Sequence, residues 1–313
     1  MTTHDDPTLP PPPDGIAVRA YESLARHTYL RLGGAARYFA EPQGFGELER
    51  LMDWTRVARL PLRVIGGGSN LLIADEGVQA LVISLRRVSG GFGFEGVQVV
   101  AGSAVMLPAL ARAAAERSLG GLEFAIGIPG TVGGALMSNA GIGDGRDIGS
   151  LVQSVEVMGG RGRQTLLPAQ LQFGYRQSAL RHAGVMVIAA TLQLAPRPRA
   201  EIEAEMRRLL EQRQASQPTA DPNAGSIFRN PPGDHAGRLI DAAGCKGLRV
   251  GGAHVSELHA NFIVHDGTAT VADVVALMEQ VQERVFSHAG VWLTTEIAWW
   301  GDGPVPAPWA ERG

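Results

Sequence analysis

The sequence predicts an α+β protein in which two mixed units precede a separate third one, and three observations carry that expectation. Short runs of Val, Ile and Leu of strand length are interspersed with helix-period segments, without a regular strand–helix alternation. Glycine, 41 of 313 residues, is gathered into GGGSN, GIPGTVGG and NAGIGDG instead of being spread evenly. A long helical segment ends in QPTADPN, and the residues beyond that break, about a hundred, repeat the mixed pattern on their own.

Each element follows in order. Pro10 to Pro13 supply no amide donors and favour an extended polyproline conformation, so residues 1–18 are expected to be a loose, disordered tail. From Glu47, ELERLMDWTRVA places apolar residues at helical spacing, and PLRVIG follows as a short buried strand. LLIA, ALVISL and VQVVAG read as strands, VMLPALARAAAERSL as a helix, and SVEVM and VMVIAATLQL as further strands after the glycine-rich run. RAEIEAEMRRLLEQRQ sets Ile202, Met206, Leu209 and Leu210 on one helical face until Pro218 and Pro222 break it. Then come a helix in HAGRLIDAAG, a strand in NFIVH, an amphipathic helix in TVADVVALMEQVQERVFSHAG and a last strand in VWLTTEIAWW. GDGPVPAPWAERG is expected to be a flexible tail. The expected limits are 19–85 and 86–215 for the first two units, 216–300 for the third and 301–313 for the tail.

Composition narrows the function. A net charge of −3 gives no basic surplus for nucleic acid or an anionic membrane, so a phosphorylated ligand must be held by local groups. The single cysteine, Cys245, excludes an internal disulfide framework and a zinc site built on several thiolates. It follows a helix-ending glycine in AGCKG and reads as a packed small residue. No stretch approaches the roughly 18–20 apolar residues that span a bilayer, and the N-terminus lacks the basic and apolar parts of a signal peptide, so a cytoplasmic protein is expected. Oligomeric state is left open, a monomer included.

GGGSN, Gly66 to Asn70, directly follows an apolar strand. Its glycines allow a sharp turn that exposes consecutive N–H groups, a nest for a pyrophosphate; a tight turn between strands explains the same residues. Leu71 and the missing helix signal rule out a Rossmann fingerprint. GIPGTVGGALMSNAG has P-loop spacing only superficially, because Gly134 stands where lysine is required. Two such segments suit an extended dinucleotide that needs close backbone approach. His254, Glu257 and His259 are near neighbours but match no zinc-enzyme spacing, and no metal is expected.

The ordered blocks LRLGGAARYFAEP, VIGGGSNLL, GLEFAIGIPGTVGGAL…NAG, FGYRQSAL, NAGSIFRNP, AGRLIDAAGCKG, GGAHVSELHANFIV and VWLTTEI resemble the UDP-N-acetylenolpyruvoylglucosamine reductase family from about residue 24 to residue 301. The short distance from Arg176 to the serine block resembles the shorter, second class. The resemblance implies two FAD-binding subdomains of the vanillyl-alcohol oxidase type and a C-terminal substrate-binding domain. It also implies FAD and NADPH as cofactors, a nucleotide-sugar substrate, and a role in peptidoglycan precursor synthesis, on which cell wall, shape and division depend. Carried over by position, Gly66, Gly67, Gly68, Ser69, Asn70, Pro129, Gly130, Thr131, Gly133, Gly134, Asn139 and Gly141 are cofactor-binding. Arg176, Ser226 and Glu296 are catalytic.

Those three residues are scattered, and singly each has an ordinary explanation: an ion pair, a turn, a solvent-facing strand position. Together they suit reduction of an enolpyruvyl ether. Hydride at the β-carbon leaves negative charge spread from the α-carbon into the carboxylate. Arg176 offers a permanently charged fork to that group. Glu296 helps if burial keeps it protonated, and Ser226 is placed as the proton donor to the strongly basic α-carbon. Arg229 and Lys246 are candidate helpers. Tyr175 fits a core position or a contact to nicotinamide or substrate and stays outside the catalytic set.

Two residues depart from the family's habit: His27 stands where asparagine is frequent, and Ser216 where a lysine precedes Gln-Pro. A flavin-dependent oxidase of small alcohols remains an alternative, although neither glycine block carries a histidine for covalent attachment. A catalytically silent flavin-binding protein is the other.

Overall fold

The computed structural model describes residues 9–310, so the first eight residues of the expected loose tail and the last three of the chain lie outside the described residues. The α+β expectation holds. β1 (Val18–Ser23), β2 (Ala35–Ala40), β3 (Leu62–Ile65) and β5 (Val78–Ser84) form one sheet in the order β1-β2-β5-β3, while β4 (Leu71–Ile73) lies outside it. β1 runs antiparallel to β2; β5 runs parallel to both β2 and β3. The apolar run in β5 is nearly continuous because it is central and covered on both faces. α1 (Phe45–Val57) crosses over between β2 and β3 and buries Leu48, Leu51 and Trp54 against Leu81 and Ile83.

Residues 9–18 are packed, a correction to the loose tail expected there. The Trp54 indole donates to the Pro10 carbonyl at 3.0 Å and Arg50 donates to the Asp14 carbonyl at 2.6 Å. Leu9 and Ile16 join the core under α1. Proline lacks an N–H, but its carbonyl still accepts, and these anchors use only carbonyls.

The second sheet is antiparallel and ordered β10-β9-β11-β7-β6, from β6 (Phe92–Glu95), β7 (Gln98–Gly102), β9 (Val152–Gly159), β10 (Gly162–Leu166) and β11 (Met186–Gln193). α2 (Leu107–Glu116), α3 (Val132–Ser138) and α5 (Arg199–Ser216) share a core with it. The pair β8 (Leu119–Gly120) and β12 (Ala195–Pro196) and the single turn α4 (Pro168–Leu171) complete the unit. Sequence periodicity missed α3, which lies inside the second glycine run. Thr131 caps it by accepting from the Gly134 amide at 3.4 Å, and Val132, Ala135 and Leu136 bury one face.

The third unit sets β13 (Arg249–Val250), β14 (Ala253–Val255) and β15 (Ile263–His265) against α6 (Ala236–Ala242) and α7 (Val271–Ala289). A reciprocal Thr270–Asp273 capping box starts α7, and Gly290, with φ of 68°, ends it in the left-handed region. The Asp75 carboxylate, from the first unit, also accepts from the amides of Val271 and Ala272 at 3.1 and 3.2 Å. A negative charge at this helix end is favourable and binds the units together.

The expected last strand is broken in two. Residues 294–296 bond to the serine segment, with Arg229 N donating to Thr294 O at 2.8 Å and Glu296 N to Ile227 O at 2.7 Å. Only β16 (Ala298–Trp300) is regular strand, and it pairs parallel with β4 in the register Ala298↔Leu71. The chain changes partner at Ile297, and one unbroken ladder cannot serve both. The tail after it is docked, again contrary to expectation, as far as Ala310. The Trp309 indole donates to Ile297 O at 2.9 Å, and the buried Gln282 amide donates to Pro308 O at 3.2 Å. Trp309→Ala is expected to cost about 2 kcal/mol, less than a fully buried tryptophan because the ring is partly exposed. An unchanged denaturation midpoint would show the tail to be passive.

Candidate active site

The two glycine-rich loops cross at contact distance. A Cβ on Gly67 would sit 2.8 Å from the Gly130 Cα, and one on Gly66 would sit 2.7 Å from Thr131 Oγ1. Ser69 Oγ donates to the Pro129 carbonyl at 2.9 Å and locks the crossing. Gly68 has φ of 65°, and its carbonyl accepts from Tyr29 N at 3.0 Å. Among the described residues, the amides of Gly67 through Asn70 and of Gly130 and Thr131 have no acceptor. Successive unpaired N–H groups around a left-handed glycine make a nest for a diphosphate. Gly133 lies against Ser103, whose carbonyl takes its amide at 2.8 Å, so its role is close packing of α3.

A methyl at Gly67 must push the Gly130 backbone aside, an overpacking cost of about 1–3 kcal/mol. Gly67→Ala is therefore expected to weaken FAD binding roughly tenfold to a hundredfold. Titration of the apoprotein with FAD, followed by flavin fluorescence, reads this directly. Parent affinity in the variant would contradict the close crossing.

Arg176 and Glu296, 120 residues apart in sequence, meet across the units: Arg176 Nε lies 2.6 Å from Glu296 Oε1, with side chains 19% and 15% exposed. The N–H is not aimed along that line, so the contact is an ion pair and not a well-formed hydrogen bond. A second guanidinium nitrogen, Nη1, donates to the Gly141 carbonyl at 2.9 Å. Arg176 itself has φ of 55°, a left-handed conformation that costs a non-glycine residue about 1 kcal/mol or more.

That strain is held by a buried bracket. Asn139, 3% exposed, donates through Nδ2 to the Gly174 carbonyl at 2.9 Å and accepts at Oδ1 from Gly149 N at 2.9 Å. Gly174 and Gln177 exchange backbone hydrogen bonds at 3.2 and 3.0 Å, which closes the turn that carries Arg176.

Burial raises the Glu296 carboxyl above its ordinary value, against the opposing pull of Arg176, then Arg229 and Arg181. Its backbone carbonyl accepts from Asn70 Nδ2 at 3.3 Å, so the last residue of the first glycine loop touches the glutamate strand. Ser226 precedes Ile227, whose carbonyl accepts the Glu296 amide at 2.7 Å. Gly225, with φ of 77°, brings the serine turn near the first glycine loop: a Cβ there would lie 3.9 Å from Ser69 O. Asn261, 4% exposed, clamps the same turn, with Oδ1 accepting from Phe228 N at 3.0 Å and Nδ2 donating to Phe228 O at 2.8 Å.

Two cavities flank this meeting point. One of about 480 Å³ is lined by Ser226, Asn230, Arg238, Lys246, His259 and Asn261 among others. The other, about 360 Å³, is lined by Arg176, Arg181, His182 and Arg229 together with Gln172, Gln177, Ser178 and Ala179. Sequence reasoning missed Asn261 and Arg181 and held Arg229 only as a helper. Asn261 sits in the block HANFIV with no signal beyond its neighbours.

The other sequence expectations fall outside the centre. Tyr175 is 52% exposed and so does not fill a core. Among the described residues, no group of three or more His, Cys, Asp or Glu side chains converges. Cys245 is fully buried in the third core, and burial raises its thiol. His27 stacks on Phe39 with centroids 4.5 Å apart and meets Glu22 at 2.9 Å, a local role. Ser216 donates to Gln212 O at 2.8 Å on the exposed end of α5.

Comparison with known proteins gives concordant results. The FAD binding domain family matches residues 36–167, and the family described as UDP-N-acetylenolpyruvoylglucosamine reductase, C-terminal domain, matches residues 217–300. The chain is 46% identical over 288 residues to UDP-N-acetylenolpyruvoylglucosamine reductase 2 of Symbiobacterium thermophilum, covering 92% of this chain and 93% of that one. It is 45% identical over 289 residues to the UDP-N-acetylenolpyruvoylglucosamine reductase of Moorella thermoacetica, covering 92% and 95%. The crystal structure of the enzyme of that name from Thermus caldophilus superposes with a TM-score of 0.77 at 38% identity, covering 91% of this chain and 99% of the other.

Proposed function

The chain belongs to the UDP-N-acetylenolpyruvoylglucosamine reductase family, and from that premise we propose which of its residues carry the reaction. It is an NADPH-dependent flavoenzyme that reduces the enolpyruvyl ether of UDP-N-acetylglucosamine to UDP-N-acetylmuramate in peptidoglycan precursor synthesis. The observation that carries the residue assignment is the 2.6 Å contact of Arg176 with the half-buried Glu296, beside the serine turn and the two glycine loops.

The unpaired amides of Gly67 to Asn70 and of Gly130 and Thr131 fit the FAD diphosphate, and the tight crossing of the two loops leaves no side chain between them. Of the twelve cofactor-site residues, Gly66, Pro129, Gly133 and Gly134 shape those loops. Asn139 and Gly141 act one step removed, since their polar atoms hold the Arg176 turn. When bound, FAD supplies hydride, taken from NADPH, to the β-carbon of the substrate.

Arg176 offers its guanidinium charge to the substrate carboxylate, and Glu296, whose carboxyl is raised by burial, donates a hydrogen bond in its protonated form as charge develops there. Ser226 gives its proton to the α-carbon from the wall of the larger cavity. Arg238 and Lys246 in the same wall are suited to the UDP diphosphate. The domain limits 19–85, 86–215 and 216–300 then assign FAD to the first two units and the nucleotide sugar to the third. The net charge of −3 supports a diffusible small-molecule substrate and no nucleic-acid partner, and we propose that the protein acts in the cytoplasm.

Product analysis tests this reading. Incubation with FAD, NADPH and the enolpyruvyl nucleotide should yield one product that carries two more hydrogen atoms, for each NADPH consumed. NADPH consumption without that product would overturn it.

A further inference from the structure

The smaller cavity holds an imbalance of charge. Arg176, Arg181 and Arg229 line it and no acidic residue does. Glu296 is the one carboxylate whose charge acts on Arg181 among the described residues, and it already faces Arg176 at 2.6 Å. Three guanidiniums against one carboxylate leave two positive charges over, or three when Glu296 is protonated.

Two of the three side chains are anchored, and Arg176 is the first, donating to the Gly141 carbonyl and facing Glu296. Arg181 is anchored by Nε, which donates to the Met137 carbonyl at 3.0 Å, so both terminal nitrogens are directed elsewhere. It lies on a short 3-10 turn capped by Ser178, whose hydroxyl accepts from Leu180 N at 3.3 Å. The Arg229 backbone is tied by its amide to Thr294 O at 2.8 Å, and its buried side-chain Nε has no partner among the described residues. A half-buried arginine with an unsatisfied donor, beside two more arginines, is costly unless an anion completes it.

The reaction supplies such an anion. Hydride adds to the β-carbon of the enol ether and makes a C–H bond, while the electron pair of the C=C bond moves to the α-carbon and its carboxylate. The substrate is reduced and the flavin oxidised. The substrate group, singly negative before the step, becomes doubly negative until the Ser226 O–H bond breaks and its proton makes the second C–H bond; the electron pair of that O–H bond stays on Ser226 Oγ, which a proton from water restores. The excess positive charge, two or three with the state of Glu296, favours that dianion over the singly charged substrate, which is the condition for catalysis over mere binding.

We propose that Arg181 and Arg229 complete, with Arg176, an electrostatic site for the dianionic enolate carboxylate. The inference rests on the assignment of Arg176, Ser226 and Glu296 given above.

The test uses the FAD-loaded protein, reduced anaerobically with NADPH and mixed with the enolpyruvyl nucleotide while the flavin absorbance is followed. Recovery in the parent protein is required first, and its failure would sink the underlying reading alone. In Arg181→Gln and Arg229→Gln, reduction by NADPH should stay at the parental rate. Recovery at saturating substrate should slow on the order of 10- to 100-fold in each, with partial return in the Lys variants. An unchanged saturated rate, or a loss confined to substrate affinity, overturns the proposal. So does selective slowing of reduction by NADPH, which would assign the arginines to the donor's phosphate.

A second measurement needs no variant. Oxalate, a compact dianion, should perturb the flavin spectrum of the parent protein at lower concentration than acetate does at equal ionic strength. Equal potency overturns the proposal.

Discussion

Ser226→Ala is expected to be reduced by NADPH at the parental rate and then to fail in passing its electrons on, with the second half-reaction slowed about 10²- to 10⁴-fold. The separation follows from where the serine sits. Its turn is set by Gly225 and clamped by Asn261, and it lines the larger cavity, whereas the amides proposed to hold the FAD diphosphate belong to other residues. Removing the hydroxyl takes away a proton donor without disturbing the loops. The backbone bonds of the turn, Ile227 N to Asn261 O at 2.9 Å and Glu296 N to Ile227 O at 2.7 Å, do not use the Ser226 side chain, so the fold should survive. Stopped-flow absorbance resolves the two steps, and equal slowing of both would remove Ser226 from the proton transfer.

The second large effect concerns Glu296. Burial raises its carboxyl and the three arginines lower it, with burial the stronger, so the protonated form extends above the usual carboxylate range. Only that form can donate a hydrogen bond to the developing charge. The second half-reaction should therefore be fastest below the raised pKa and fall as pH climbs through it, while reduction by NADPH lacks this limb. Glu296→Gln keeps a neutral donor at every pH and should flatten the limb while retaining most of the rate. Glu296→Ala removes the donor and leaves Arg176 without its partner, and should slow the step on the order of 10²-fold. Pre-steady-state rates across pH decide the point: a glutamine variant no better than alanine, or one that keeps the alkaline limb, contradicts a protonated Glu296.

How much of this was legible beforehand depends on range. Helical periodicity locates α1, α2, α5 and α7 because each buries one stripe, as Leu48, Leu51 and Trp54 do in α1. It misses α3, where Gly133 and Gly134 dilute the signal and the stabilising contact is a backbone approach to Ser103. The tails are misread for a related reason. Proline and glycine lower local order, but distant donors such as the Trp54 indole capture their carbonyls. The last strand reads as continuous because its side chains suit a strand throughout. Only the fold shows that residues 294–296 bond to one unit and Ala298–Trp300 to another.

The site divides in the same way. Arg176, Ser226 and Glu296 carry no local signal and were reached through the order of motifs along the chain. The meeting of Arg176 with Glu296 is a tertiary fact, as is the bracket that Asn139 forms around the Arg176 turn. Arg181 goes unmarked in the sequence and Arg229 ranks only as a helper, because single arginines are common on surfaces. Their meaning lies in the absence of matching carboxylates around one cavity, which no window of sequence displays.

The most direct test of the central claim is an anaerobic double-mixing experiment on the FAD-loaded chain, read in the flavin absorbance. NADPH should bleach the bands, and the enolpyruvyl nucleotide, added next without oxygen, should restore them in a single turnover. Bands that stay bleached until oxygen is admitted would contradict the reductase account and indicate an oxidase on the same fold.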